Sequence, residues 1–255
     1  MNIVHLTIID STNDEAQRRI QQDRESKEDF VIRADFQTDG RGQRGNIWES
    51  ESRKNLMFSY VFHPKELAVN NQFMLSQATA AAVAEYFESR NIPDVSIKWP
   101  NDIYTGMKKI CGMLIENSVS GKFIKTSILG IGINVNQETF PENLPNPVSM
   151  KIITGKEYNL DTEMDVFLEI LQKHLAHIQH DEREILRQNY MKRLLGLHKT
   201  LVYNSQGKVF KGIIREVDPF GFITVENEQT GECKQFDFKE IELIIPEQNK
   251  YTTIK

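Results

Sequence analysis

Short apolar runs along the chain predict strands over residues 3–9, 30–36 and 56–62, the second rich in β-branched and aromatic side chains. Between the first two, Asp10-Ser11-Thr12-Asn13 supplies several helix-capping side chains ahead of a polar stretch, which predicts a helix over 15–22. From about 72 to 89 the spacing becomes helical. Met74, Leu75, Ala78, Ala82, Val83, Tyr86 and Phe87 recur on one face. Pro93 ends that helix, and a strand resumes over 95–98. Ile103-Tyr104, a turn at Thr105-Gly106-Met107 and an apolar run over 110–116 predict a hairpin. Ser120-Gly121 turns the chain into a long apolar strand over 123–135, and helices follow near 163–180 and 182–195.

After Gly196 the pattern changes to short strands at 199–203, 207–217, 222–226 and 232–238, separated by Asn-Ser, Pro-Phe-Gly and Gln-Thr-Gly turns. The expected organisation is a mixed α+β domain over 1–196 and a small barrel-like β domain over 197–255. No internal repeat or low-complexity tract interrupts either part.

Composition changes this picture little. At 255 residues, 39% hydrophobic and 26% charged, the chain has the make-up of a soluble globular protein. A net charge of −5 argues against a broad nucleic-acid footprint, while leaving room for a local basic site. The start of the chain has no basic segment followed by an apolar run, and no stretch approaches the roughly 20 apolar residues that span a bilayer. Cys111 and Cys233 lie far apart, in no CxxC or Cys/His cluster, and read as reduced thiols. The expected location is cytoplasmic, with no membrane partner.

Three clusters carry candidate chemistry. Gly40-Arg41-Gly42-Gln43-Arg44-Gly45 combines three glycines, whose backbone N–H groups can approach an anion, with two arginines that bind phosphate or carboxylate in bidentate fashion. It lacks the spacing of a P-loop, and a solvated hairpin turn with incidental charges is the alternative. The loop has no apolar anchor before Ile47 and Trp48, so it is expected to be mobile without ligand.

In Lys98-Trp99-Pro100-Asn101-Asp102, Asp102 can hold Mg²⁺ shared with substrate phosphates, while an Asx turn or helix cap is the more frequent use of Asn-Asp. Lys109 follows seven residues later, where an isolated lysine is ordinarily a solvated edge charge. In Gly130-Ile131-Gly132-Ile133-Asn134-Val135-Asn136, glycines within an apolar strand mark the close approach of a ligand or another backbone, and Asn134 can meet an adenine edge. A tightly packed core strand explains the same glycines. These residues reach a candidate polyphosphate site and leave the activated acid unidentified.

Taken in order, the segments resemble the biotin protein ligases (biotin–acetyl-CoA-carboxylase ligases). The resemblance rests on Ser11-Thr12-Asn13, Gln37, Gly40 to Gly45 with Trp48, Lys98 to Asp102, Lys109 with Gly112, and Gly130 to Asn134. It implies a mixed-sheet biotin/lipoyl-ligase-like catalytic domain with a small C-terminal SH3-like β-barrel. The implied reaction has two steps. Biotin and ATP give biotinyl-5′-AMP and pyrophosphate, and a lysine of a biotin carboxyl carrier protein then displaces AMP. Ser11, Thr12, Asn13 and Gln37 are implied to hold the biotin ring region. Gly40, Arg41, Gly42, Gln43 and Gly112 would enclose biotin, with Lys109 at its carboxylate and the α-phosphate. Arg44, Asn46, Trp48, Lys98, Asn101 and Asn134 would line the ATP side, and Asp102 would hold Mg²⁺. Lys109, Arg41 and Asp102 are the implied catalytic set.

Some features depart from the family. Gln43 stands where the best-known bacterial members carry arginine, and Asn46 replaces another cation, which predicts a weaker grip on the adenylate. The chain has no room for a winged helix-turn-helix, so a monofunctional ligase without DNA-binding activity is expected, as monomer or homodimer. A lipoate–protein ligase and a non-enzymatic biotin-sensing protein are the alternative readings. The base for the transfer step stays open, since a metal-bound Asp102 is a poor one.

Overall fold

The computed structural model describes residues 1–23 and 25–245, with Arg44 described by its backbone alone. The last ten residues of the expected second domain, 246–255, lie outside the described residues.

The first strand, β1 (Asn2–Ile9), is followed by helix α1 (Thr12–Gln22) and strand β2 (Phe30–Gln37). β1 and β2 pair in parallel through α1, because a parallel neighbour needs a crossover. The remaining elements of this part are β3 (Leu56–Phe62), α2 (Phe73–Ser89), β4 (Val95–Lys98), β5 (Asp102–Thr105), β6 (Lys108–Ser120), β7 (Phe123–Ile133), α3 (Met150–Thr154), α4 (Leu160–Gln179) and α5 (Arg183–Met191). The sheet runs β1-β2-β3-β7-β6-β5-β4, antiparallel after the first pair.

Strand alternation gives the sheet two unlike faces. Leu56, Phe58, Tyr60, Leu129, Ile131 and Ile133 join the main core beneath α2 and α4, where Phe167 packs edge-on against Phe58 and Tyr86 at 5.5 and 5.6 Å. On the opposite face Ile32, Val61 and Ile128 meet Ala16 of α1 in a small separate cluster. The same alternation puts Ser59, Gly112, Leu114, Glu116, Gly130 and Gly132 on that second face.

Helix α2 differs from the one-faced helix expected of it. Gln77, Ala80, Ala81 and Ala84 are buried as well, because the sheet covers one side and α4 and α5 cover the others. Its run of alanines permits that close packing. The short α3, capped by the Ser149 hydroxyl, and the stop of the last helix at Met191 are further differences from the sequence reading.

The C-terminal part contains β8 (Thr200–Ser205), β9 (Lys208–Val217), β10 (Ile223–Asn227), β11 (Cys233–Phe236) and β12 (Glu242–Leu243). They form an antiparallel sheet in the order β11-β10-β9-β8-β12. Pairing between β11 and β12, which would close it into a barrel, is not among the described contacts. This sheet docks tightly on the first. Trp99 Nε1 donates to the Gly221 carbonyl at 2.9 Å, and the Phe238 ring sits 5.2 Å from that of Trp99. Gly221 has φ +97° and lies so close to Phe73 that a Cβ would come within 2.7 Å of the ring.

Candidate active site

The segment from Gly40 to Trp48 folds as a small hairpin. Trp48 N–H donates to the Gly40 carbonyl and Gly42 N–H to the Asn46 carbonyl, both at 2.7 Å, around a single 3₁₀ turn at Gln43–Gly45. The backbone is thus that of a hairpin turn, with the Gly42 N–H spent on the turn itself. The indole of Trp48 anchors it to the sheet. A Cβ at Gly132 would lie 2.4 Å from that ring and one at Gly112 2.8 Å, so paired glycines on β6 and β7 form the slot it occupies. Trp48 Nε1 is buried and has no hydrogen-bond partner among the described residues, which leaves a donor for a ligand. Arg41 lies on the flank, donating to Asp14 at 2.6 Å and to Glu116 at 2.7 Å.

Beside the hairpin, the first turn of α1 brings three buried polar residues, Ser11, Thr12 and Asn13, onto the sheet. Gln37 at the end of β2 accepts the Thr12 backbone N–H at 2.8 Å. The Asn13 amide lies over Gly130, where a Cβ would stand 2.3 Å from its oxygen. Ser59 bridges the pair, 2.6 Å from Asn13 Oδ1 and 2.8 Å from Thr12 Oγ1. The result is a pocket dense in donors and acceptors, held by bonds among its own members.

Beside this pocket stands Lys109. A register shift in the β5–β6 ladder makes Tyr104 oppose Lys109 while Ile103 opposes Cys111, leaving Ile110 as the extra residue. The bulge turns Lys109 toward Gly112 on the site face while Ile110 and Cys111 stay in the core. Lys109 Nζ lies 2.8 Å from Asp102 and 5.7 Å from the centre of the Trp48 ring. Burial raises the Cys111 thiol well above its ordinary range, so it is inert. Asn101 donates its amide to the Met113 carbonyl, fixing the turn that follows the cis Trp99–Pro100 peptide. Lys98 lies across from Asp102 in the β4–β5 pair, with Nζ 5.8 Å from the Tyr104 ring centre.

One cavity of about 310 Å³ joins these groups. Its wall includes Ser11, Thr12, Asn13, Gln37, Arg41, Gly42, Gln43, Asn46, Trp48, Lys98, Asn101, Asp102, Lys109 and Gly112. Two expected members stand off the wall. Gly40 acts within the hairpin, where a Cβ would meet the Trp48 carbonyl at 2.3 Å, and Asn134 is buried with its amide donating to the Val148 carbonyl at 3.0 Å. The Arg44 side chain lies outside the described residues. For Mg²⁺, Asp102 is a suitable oxygen ligand, and no group of three acidic, His or Cys side chains forms a metal cage among the described residues. That donor set fits an ion shared with substrate phosphates.

Several wall residues escape sequence reading. Tyr203, Ile214, Ile223 and Glu242 from the second sheet, with Phe238 from the turn after β11, close one side of the cavity. Tyr203 is buried and its hydroxyl has no partner among the described residues. Leu114 lines the cavity, and period-two alternation from Gly112 puts it and Glu116 on one face, while which face meets the site depends on pairing. Ser59, which bonds Asn13 and Thr12 without lining the cavity, carried no such signal.

A model of the biotin/lipoate A/B protein ligase family matches residues 6–134. The bifunctional ligase/repressor BirA of Bacillus spizizenii is 31% identical over 145 residues, covering 56% of this chain and 44% of that protein. The chain thus spans less than half the length of this relative. The biotin–[acetyl-CoA-carboxylase] ligase of Paracoccus denitrificans is 23% identical over 191 residues, covering 71% of this chain and 78% of that one. Among solved structures, a biotin protein ligase from Aquifex aeolicus in complex with biotin and ATP aligns with a TM-score of 0.78 at 27% identity, covering 96% of this chain and 99% of its own.

Proposed function

Since this chain belongs to the biotin/lipoate A/B protein ligase family, we propose that it is a biotin–protein ligase that activates biotin with ATP and attaches it to a lysine of a biotin carboxyl carrier protein. The observation that carries the choice of acid is the pocket of Ser11, Thr12, Asn13 and Gln37. A ureido ring offers two N–H donors and a carbonyl acceptor to such a lining. The dithiolane of lipoate offers none and would leave buried polar groups unpaired, at about 1–3 kcal/mol each. The Lys109–Asp102 pair, set between acid and nucleotide sides, favours an enzyme over a sensor.

In the first step a biotin carboxylate oxygen bonds to the α-phosphorus of ATP and the bond to pyrophosphate breaks, giving the acyl-adenylate. Two anions must meet, and Lys109 and Arg41 reduce their repulsion and stabilise charge on the reacting phosphate. Mg²⁺ held by Asp102 together with the phosphates would neutralise the leaving pyrophosphate. The hairpin of Gly42, Gln43 and Asn46, with Trp48 seated in its glycine slot, shields the mixed anhydride from water. Lys98 and Asn101 hold the nucleotide side. In the second step the carrier lysine amine bonds to the acyl carbon, AMP leaves, and the amine loses a proton to yield the amide.

We assign 1–196 to catalysis, and 197–255 to a smaller domain whose sheet walls the cavity. Among the described residues no helix is long and apolar enough to cross a membrane. The reaction belongs in the cytoplasm, where ATP is available and both cysteines stay reduced. The deciding experiment is ATP–pyrophosphate exchange driven by biotin or by lipoate, followed by transfer of labelled biotin to a purified carrier domain. Biotin-dependent exchange and labelling are expected; exchange with lipoate alone would overturn the assignment.

A further inference from the structure

The acid pocket and the hairpin are tied together by a side chain to which no role has yet been given. Glu116 lies on the site face of β6, two residues beyond Leu114 and opposite Ile128 of β7. Its Oε2 accepts from Asn13 Nδ2 at 2.8 Å, and its Oε1 accepts from Arg41 Nη2 at 2.7 Å. We propose that Glu116 is a positioning residue, whose single carboxylate orients the Asn13 amide toward the acid and tethers the Arg41 hairpin beside it. The proposal rests on the ligase reading above and names what sets that site.

The orientation follows from donor and acceptor chemistry. A carboxylate only accepts, so Asn13 must turn its NH₂ toward Glu116. The amide oxygen then faces Ser59, which donates to it and accepts from Thr12. Gly130 leaves the space in which this amide sits. One lone pair of Asn13 Oδ1 remains for a ligand N–H. The negative charge behind the amide polarises it and strengthens that acceptor. A ureido N–H is the chemistry such an acceptor suits.

Arg41 supplies the second half. Its guanidinium lies between Asp14 at 2.6 Å and Glu116 at 2.7 Å, so two carboxylates face one cation before any substrate anion arrives. An incoming carboxylate or phosphate can replace the Asp14 contact, while Glu116, whose other oxygen is held by Asn13, keeps the arginine in place. Hairpin position and amide orientation thus share one anchor, across 75 residues of sequence.

Two substitutions separate the two functions. E116A removes both. E116Q keeps an acceptor for Asn13, but then turns its NH₂ toward Arg41, where donor meets donor. Two readouts are followed, KM against kcat for biotin in ATP–pyrophosphate exchange, and trypsin cleavage after Arg41 in the ligand-free protein. E116A is expected to raise the biotin KM about tenfold with kcat little changed, and to speed cleavage by about the same factor. E116Q should match E116A in cleavage but show a smaller rise in KM. A merely structural role would lower kcat with stability and produce no such split. Unchanged KM and cleavage in E116A, or equal loss of kcat in both variants, overturns the proposal. If the parent chain shows no biotin-dependent exchange, the ligase reading fails, and the cleavage comparison still judges the hold of Glu116 on Arg41.

Discussion

Replacing Gly132 by alanine should detach the Trp48 hairpin while leaving the sheet intact. Gly132 sits in an extended strand without a positive φ, so alanine strains no backbone angle. The whole effect comes from space. The added methyl would stand 2.4 Å from Trp48 Cε2 and 2.7 Å from both Cζ2 and Nε1. Carbon atoms in contact prefer about 3.5–4.0 Å, so the indole must retreat by roughly 1 Å. β7 cannot move instead, because Gly132 is paired with Met57 of β3 on one side and Gly112 of β6 on the other. The hairpin is the compliant partner, joined to Trp48 by the Gly40 hydrogen bond and the Arg41–Ile47 bridge.

Overpacking of this kind costs about 1–3 kcal/mol, here taken from hairpin docking more than from global stability. At 1.4 kcal/mol per decade, the KM for ATP should rise about 5- to 150-fold. Biotin binding should change less, since Asn13 rests on Gly130. The chain has two tryptophans, so fluorine-labelled tryptophan gives two resonances, and the Trp48 signal should shift toward its solvent-exposed position while that of Trp99 stays. An unmoved Trp48 resonance together with an unchanged ATP KM would refute the slot as the anchor of the loop.

Three other outcomes are expected. Lys109→Ala should lower biotin-dependent exchange about 100- to 1000-fold, with the melting temperature nearly unchanged because the side chain is partly exposed; near-normal turnover would remove it from the mechanism. Gln43→Arg should add a charge-assisted contact at the cavity wall and slow biotinyl-5′-AMP release about tenfold in a chase with unlabelled biotin, whereas unchanged release would show that Gln43 does not limit retention. His174 is kept neutral by burial, against the opposing pull of Glu85, so its folded pKa lies below the ordinary 6.5. The unfolded chain then binds the extra proton, and this contribution to stability is complete above about pH 6.5 and declines as pH falls. Urea midpoints at several pH values should fall more steeply on acidification in the parent than in His174→Gln; equal slopes would contradict the assignment.

Periodicity was enough to read most elements and the run of short strands after Gly196, and composition marked three clusters as candidates for chemistry. These are local properties, set by spacing along a helix or strand and by the few residue types that tolerate a turn. The glycines at 130 and 132 were legible as places of close approach, but their occupants were not, and Gly112 entered only through the resemblance. Trp48 meets Gly112 and Gly132 from 64 and 84 residues away and Asn13 meets Gly130 from 117, and only register decides which glycine each one meets. Lys109 reads from its own sequence context as an edge charge and gains a site role only through the resemblance; the bulge at Ile110 turns it into the cavity. Asn134 read as a nucleotide contact because amides suit adenine, yet the fold buries it off the cavity wall with its amide donating to the Val148 carbonyl. Glu116 and the wall from the second sheet depend on pairing and docking between distant segments. Sequence determined which local pieces form and which carry charge or conformational freedom. Tertiary structure alone decided which of them share a cavity, because cross-strand register and the packing of Trp99, Gly221 and Phe238 are long-range contacts with no local signature.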